Sequence, residues 1–266
     1  MNDKLLLFIP MYNCEKQIVR VLGQLKGEIL DYIGEVIIVN NRSTDDGENA
    51  VCKFIDSSKF EFPISLLRND DNYSLGGSHK VAFNYAKEKN FKYLVVLHGD
   101  DQGNINDLLP FLKNGQAYNY DAFLGSRFEK KSQLINYSKF RIIGNHIFNL
   151  FMTVMLRKHI SDLGSGLNMY RVNFLDEKYY KRMPNNLTFN VYLLLYGIFA
   201  KARFKFFPLS WREDDQVSNA KFFKQSCEIA NLTFRYVFNK KGVFNYSENE
   251  YSNIAYTYRL IKKNNI

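Results

Sequence analysis

An apolar run at residues 94–97 stops abruptly at His98-Gly99-Asp100-Asp101-Gln102. A buried strand there would deliver one carboxylate, Asp100, to an open sheet edge, where α/β proteins bind their ligands. Carboxylate and amide oxygens suit Mg²⁺ or Mn²⁺, which commonly take one or two carboxylates together with the phosphates of a nucleotide substrate. A simple turn between strand and loop is the alternative for the same residues. Three more polar clusters follow apolar runs. In Pro10-Met11-Tyr12-Asn13-Cys14-Glu15, Pro10 fixes the exit from a strand and Asn13 suits the cap of a following helix. Asn40-Asn41-Arg42-Ser43-Thr44-Asp45 offers amide, hydroxyl and carboxylate groups to a base and ribose, or else forms a solvated turn in which Ser43 or Asp45 caps a helix. Residues 72–80 bring Gly76-Gly77 and Lys80 to a helix start, where backbone amides can meet anionic oxygens; the spacing is not that of a phosphate loop.

The elements that carry these clusters alternate. Residues 5–9, 35–39, 64–67 and 93–97 read as strands, residues 15–26 and 78–89 as helices, and residues 122–124 as a further strand ending in Gly125-Ser126-Arg127. This pattern predicts an α/β fold, a mainly parallel central sheet with helices on both faces and right-handed crossovers. Beyond residue 130 the spacing predicts a nearly all-apolar helix over 140–156 with basic flanks. Such a helix is normally core, with a membrane interface as the alternative. A buried helix over 189–199 and a strand over 202–208 follow, and the tail from residue 220 reads as helix plus irregular segments.

With 266 residues, 46% hydrophobic and 24% charged, the chain is globular rather than disordered, and one large domain is expected. Its net charge of +9 favours acidic partners such as nucleotide phosphates and anionic lipid; no stacking motif for nucleic acid is present, and none is expected as a partner. Three widely spaced cysteines fit a reducing compartment rather than a disulfide framework. The first residues read as a strand and not a signal peptide, and no apolar stretch reaches the length of a membrane span, so a cytoplasmic protein is expected.

The order of the motifs resembles family 2 glycosyltransferases with the GT-A (Rossmann-like) fold. Pro10, Tyr12, Asn13 and Glu15 match an early motif; Asn40, Asn41, Ser43, Thr44 and Asp45 match the nucleotide loop; His98-Gly99-Asp100, followed by Gln102, stands at the metal-binding Asp-x-Asp. Gly125-Ser126-Arg127, Arg141, Asn145, Asp162-Leu163-Gly164-Ser165-Gly166, Trp211-Arg212 and Ser218-Asn219-Ala220-Lys221 are similar to the dolichyl-phosphate mannosyltransferase-like branch. The resemblance implies a GT-A domain over 1–218, with a nucleotide-sugar half at 1–105 and an acceptor half at 106–218, followed by an extension at 219–266. It implies a donor site drawn from Pro10, Tyr12, Asn13, Glu15, Asn41, Ser43, Asp45, Gly77, Lys80, Gln102 and Arg212. A divalent cation, Mg²⁺ or Mn²⁺, would sit on Asp100, His98 and Gln102. Arg127 and Arg141 are implied for an acceptor phosphate, since guanidinium forks bind two oxygens together. His98 replaces the usual Asp, and imidazole is a better ligand for Mn²⁺ than for Mg²⁺. Asn41 likewise replaces an acid.

The implied reaction is attack of an acceptor oxygen on the anomeric carbon of a nucleotide sugar, with inversion, while Asp100, the cation and Arg212 neutralise the departing diphosphate. A polyprenyl phosphate acceptor is already anionic. A sugar hydroxyl of a growing surface glycan needs a base, for which Asp162 stands in a matching motif, with Asp101 second. The expected protein is a metal-dependent hexosyltransferase, cytoplasmic and peripheral at the inner face of a membrane. A nucleotidyltransferase and a sugar-nucleotide-binding protein with weakened catalysis are the alternatives.

Overall fold

Continuous apolar runs become strands buried on both faces, and the alternation of their side chains divides the core into two layers. The computed structural model describes residues 4–215, 222–244, 249 and 251–265. In its first half β1 (Leu5–Met11), α1 (Glu15–Leu22), β2 (Ile33–Asn40), α2 (Gly47–Ser57), β3 (Ile64–Asn69), α3 (Ser74–Glu88) and β4 (Tyr93–Leu97) alternate; the four strands, α1 and α3 are expected from the sequence, and α2 is an addition to that reading. Every residue of β1 and of β4 is buried. Leu6, Phe8, Leu94 and Val96 pack into one layer with α3, whereas Leu7, Ile9, Val95 and Leu97 pack into the other with α1 and α2. Burial on both faces is why these strands read as unbroken apolar runs.

The second half adds α4 (Leu109–Lys113), β5 (Ala122–Ser126), β6 (Gln133–Ile135), α5 (Lys139–Leu156), β7 (Leu167–Arg171), α6 (Glu177–Tyr180), α7 (Phe189–Phe199), β8 (Phe204–Pro208), β9 (Ser210–Arg212), α8 (Phe222–Phe238), α9 (Lys240–Phe244) and β10 (Tyr258–Lys263). The main sheet has eight strands in the order β10-β3-β2-β1-β4-β7-β5-β8. β1 pairs in parallel with β2 and β4, β2 with β3, and β5 with β8. β7 runs antiparallel between β4 and β5, and β10 runs antiparallel along the outer edge of β3. Neither has a clean signal in the sequence: Asn168 interrupts β7, and β10 has no alternation of polar and apolar residues. The C-terminal residues 258–263, expected in a separate extension, thus complete the main sheet.

Two helices depart from expectation. α3 starts at Ser74, four residues earlier than predicted, with Gly76 and Gly77 inside it. Glycine costs a helix about 1 kcal/mol relative to alanine, but a Cβ on Gly76 would lie 2.7 Å from the Pro184 carbonyl oxygen and 2.8 Å from Phe189 Cβ. Close packing of α3 against α7 therefore requires glycine here. α5 is not the core helix its composition predicts. Asn149, Met152 and Leu156 are buried, while Phe140, Ile143, Ile147, Leu150 and Val154 are 80%, 60%, 65%, 64% and 65% exposed. Their spacing of three and four residues lays them along one solvent-facing stripe. No helix among the described residues is long and apolar enough to cross a membrane.

Candidate active site

The C-terminal ends of β1, β2 and β4 lie side by side, and their loops are stitched together. Gly99 N donates to Pro10 O at 3.1 Å, and a Cβ on Gly99 would come within 2.8 Å of that oxygen. Glycine is what lets the loop carrying Asp100 close onto β1. Asn13, at φ +49°, is not the cap of α1. Its Oδ1 accepts from Thr44 N at 2.8 Å, and its backbone N donates to Ser43 Oγ at 3.1 Å. The capping role falls to Asp45 from the next loop. Its Oδ2 accepts from Glu15 N at 2.8 Å and its Oδ1 from Gly47 N at 3.2 Å, so one carboxylate serves the starts of both α1 and α2. Tyr12, 47% exposed, and Glu15 face solvent beside this seam.

Asn41 is buried in an amide network. Its Oδ1 accepts from Asn69 Nδ2 and Tyr73 N, both at 2.9 Å, and its Nδ2 donates to Asn72 Oδ1 at 2.8 Å. Both oxygen lone pairs are engaged, so any contact with a base edge is limited to the second amide hydrogen.

At the end of β4, burial pushes the Asp100 carboxyl up to about 6, against the lowering effect of the Gln102 backbone N–H, which donates to Asp100 Oδ1 at 3.2 Å. A carboxylate that water solvates poorly is well suited to a cation. The donor set, Asp100 with the half-buried Gln102 amide, fits an ion completed by substrate phosphates rather than an all-protein cage. No group of three His, Cys, Asp or Glu side chains among the described residues forms such a cage. His98, the third member of the predicted metal set, is half-buried, and its Nε2 has no hydrogen-bond partner among the described residues. Its ring packs edge-on against His79 of α3, 6.0 Å between centroids, and His79 in turn contacts Phe8, Phe83 and Phe189. Burial pulls the His98 imidazole down to about 4 and His79 to about 3, so both rings are neutral, the form in which an imidazole nitrogen can ligate a cation.

Two of the residues expected on the acceptor side, Arg127 and Asp162, are paired with each other. Asp162 Oδ2 accepts from Arg127 N at 2.9 Å and Nε at 2.8 Å, and its Oδ1 accepts from Arg127 Nη2 at 2.7 Å and Gly164 N at 3.0 Å. Burial would raise this carboxyl, but the charge and hydrogen bonds of Arg127 hold it below the ordinary range. Asp162 is therefore not the general base that the motif implies. Nor does Arg127 present an open fork: Asp162 takes one edge, and Nη1 donates to Tyr137 Oη at 3.3 Å. Arg141 keeps more freedom. Among the described residues Glu213 engages only its Nη1, at 2.7 and 2.6 Å, and its guanidinium lies 4.7 Å over the Tyr137 ring. Tyr137, which also accepts from Asn145 Nδ2 at 3.2 Å, thus stands between the two arginines. Nothing in its sequence surroundings marked it.

Residues 211–215 cross the front of the site. Glu213 binds Arg141 of α5, Asp215 Oδ1 accepts from Arg20 Nη2 of α1 at 2.7 Å, and Arg212 binds Asp101. The segment joins the expected nucleotide and acceptor halves. The predicted Ser218-Asn219-Ala220-Lys221 motif lies outside the described residues.

Gly77 and Lys80 do not belong to the donor site. A Cβ on Gly77 would approach the Tyr256 ring at 3.3 Å and Asn185 at 3.5 Å, which makes it a packing glycine. Lys80 is fully buried, and its Nζ donates to Lys181 O, Met183 O, Asn185 Oδ1 and Tyr256 Oη at 3.1, 2.5, 2.7 and 2.9 Å. Burial with no carboxylate in this set draws the amine down to about 7.

A mixed α/β sheet with a carboxylate at the end of β4 and nucleotide-type loops on β1 and β2 defines a GT-A glycosyltransferase architecture. The sequence matches the family described as Glycosyl transferase family 2 over residues 7–178, and the chain belongs to that family. Two uncharacterized proteins of Methanocaldococcus jannaschii are similar to it. One is 28% identical over 46% of this chain and 52% of its own length, the other 27% identical over 64% and 65%. The chain thus spans from about half to just under two thirds of the curated relatives it matches. Among solved structures, S. aureus TarS 1-349 in complex with UDP-GlcNAc shares 18% identity with a TM-score of 0.58, covering 89% of this chain and 67% of that one. Glucosyl-3-phosphoglycerate synthase from Mycobacterium tuberculosis, in complex with Mn²⁺, UDP and phosphoglyceric acid, shares 13% identity with a TM-score of 0.61, covering 90% and 79%.

Proposed function

We propose that this chain is a metal-dependent hexosyltransferase that moves a sugar from a nucleotide-sugar donor to a polyprenyl phosphate, as in the dolichyl-phosphate mannosyltransferase-like branch. The observation that carries the donor half is the meeting of the Pro10–Asn13 seam, the Asn40–Asp45 loop and the desolvated Asp100 at one sheet edge. Pro10, Tyr12, Asn13, Glu15, Asn41, Ser43 and Asp45 line the nucleoside side, and Gln102 and Arg212 the diphosphate side. Asp100, with Gln102, would hold Mg²⁺ or Mn²⁺, which supplies positive charge to the departing diphosphate. The complexes of structural neighbours with UDP, UDP-GlcNAc and Mn²⁺ favour a uridine nucleotide and this cation.

Asp162 is committed to Arg127, which favours an acceptor that needs no base. A phosphate monoester is already ionised, and Arg141 has guanidinium edges left to orient it while Arg127 and Tyr137 hold the wall behind. The exposed stripe of α5 starts next to Arg141, the helix carries no acidic residue, and Lys139, Arg157 and Lys158 stand at its ends. An apolar face with basic ends suits the interface of an anionic membrane, where a polyprenyl chain resides. This reading sets the protein at the inner, cytoplasmic face of the membrane; extension of a membrane-linked glycan is the related alternative.

A thermal-shift panel of UDP, GDP, CDP and dTDP with Mg²⁺ or Mn²⁺ tests the donor half. One nucleotide is expected to stabilise the protein in a cation-dependent way that Asp100→Ala abolishes. No stabilisation by any of them overturns the donor site.

A further inference from the structure

Asp101 sits one residue beyond the proposed cation ligand, at φ +60°, a left-handed conformation that among residues with a Cβ Asn and Asp adopt most readily. Its side chain is completely buried although it is a carboxylate. Three bonds to the carboxylate explain the burial, and a fourth holds the backbone. Arg20 Nε donates to Oδ2 at 2.6 Å, Arg212 Nη2 donates to the same oxygen, Gln24 Nε2 donates to Oδ1 at 3.2 Å, and Arg212 Nε donates to the Asp101 carbonyl at 3.0 Å. Gln24, two residues past the end of α1, also holds Gly103 O and Ile105 N, so the loop after Asp100 is pinned to α1 by Arg20 and to the turn after it by Gln24. On the other side Arg212 N donates to Gln102 O at 3.1 Å, and Trp211 bridges Gly103. One carboxylate oxygen therefore receives two guanidiniums from elements far apart in sequence, directly beside Asp100.

The geometry points to Asp101 as a positioning residue for the donor diphosphate: it clasps Arg20 and Arg212 so that the β9 segment stays docked against the loop of Asp100. This rests on the donor reading above and assigns to Asp101 neither the base role implied by its acidity nor contact with the sugar. A left-handed backbone is easier for glycine than for aspartate, so Asp101→Gly removes the clasp while relieving the chain.

The protein carries a single tryptophan, Trp211, which is 3% exposed and adjacent to Arg212, so its fluorescence reports the docking of β9 without any ligand. In Asp101→Gly, and to a lesser degree in Asp101→Asn, the Trp211 emission is expected to shift to the red and to become more open to acrylamide quenching. In titrations with Mn²⁺, UDP affinity is expected to fall about tenfold or more, the size of a lost charge-assisted hydrogen bond, while UMP affinity changes less than about twofold. A merely structural role would weaken both nucleotides alike. Unchanged Trp211 emission in both variants, or retention of the wild-type preference for UDP over UMP, overturns the clasp. Failure of the wild type to bind either nucleotide overturns the donor reading instead, and the tryptophan signal still judges whether Asp101 docks β9. If Asp101→Gly does not fold, Asp101→Asn alone carries both readouts.

Discussion

Arg127 and Asp162 form a buried two-edged ion pair, with Nε and Nη2 at 2.8 and 2.7 Å from the two carboxylate oxygens and the Arg127 backbone N adding a third bond at 2.9 Å. It ties the end of β5 to the loop before β7, so two residues that resemble catalytic groups hold neighbouring loops together. Removing one partner leaves a buried charge without its counterpart, which costs about 3–5 kcal/mol. Asp162→Ala is therefore expected to lower stability in urea unfolding by roughly that amount, whereas a general base would give an inactive protein of normal stability.

Asp100 sets a pH dependence. Its folded value of about 6 lies above the ordinary value of 3.8, so the native state binds the proton more tightly than the unfolded chain. The sign follows: the stabilisation from protonated Asp100 is complete below 3.8 and is lost as pH rises through about 6. Cation binding needs the ionised form and runs the opposite way. Mn²⁺-dependent UDP affinity is expected to weaken as pH falls below about 6, and Asp100→Asn is expected to abolish the cation dependence. Isothermal titration between pH 5 and 8 measures both.

Lys80 is expected to matter for stability and not for the donor. Its folded value, near 7, lies below its ordinary value of 10.5, so its contribution to stability is fullest at high pH and is lost as pH falls through about 7. Lys80→Ala strips a donor from three oxygens of residues 181–185 and from Tyr256. It should destabilise the protein more at pH 8 than at pH 6 in denaturant unfolding, with UDP affinity within about twofold of wild type once folded.

The α5 stripe predicts membrane binding. Vesicles containing phosphatidylglycerol are expected to sediment the protein, neutral vesicles much less, and added salt should weaken the association. Ile147→Glu with Leu150→Glu, both at exposed positions, should abolish sedimentation without lowering the melting temperature. A double variant that still sediments would remove this surface from the proposal.

The amino-acid sequence by itself determined the local elements and the places where chemistry concentrates. β1, β2 and β4 are continuous apolar runs because both their faces are buried, and the polar residues that end them, Asn13, Asn40 to Asp45 and Asp100, stand at one sheet edge because parallel strands all point the same way. Tertiary structure decided what each polar side chain meets. Asp162 and Asp101 look alike as exposed acids in a motif, yet each is buried against arginine, from 35 residues away for Asp162 and from 81 and 111 residues away for Asp101. Lys80 reads as a helix-start lysine until residues 181–185 and the C-terminal segment close over it. The same composition that predicts a core helix at α5 leaves an apolar stripe in solvent, because only one of its faces finds a neighbour. Periodicity along a chain records which faces are apolar; ion pairing and burial depend on contacts between distant residues, and those exist only once the sheet has brought them together.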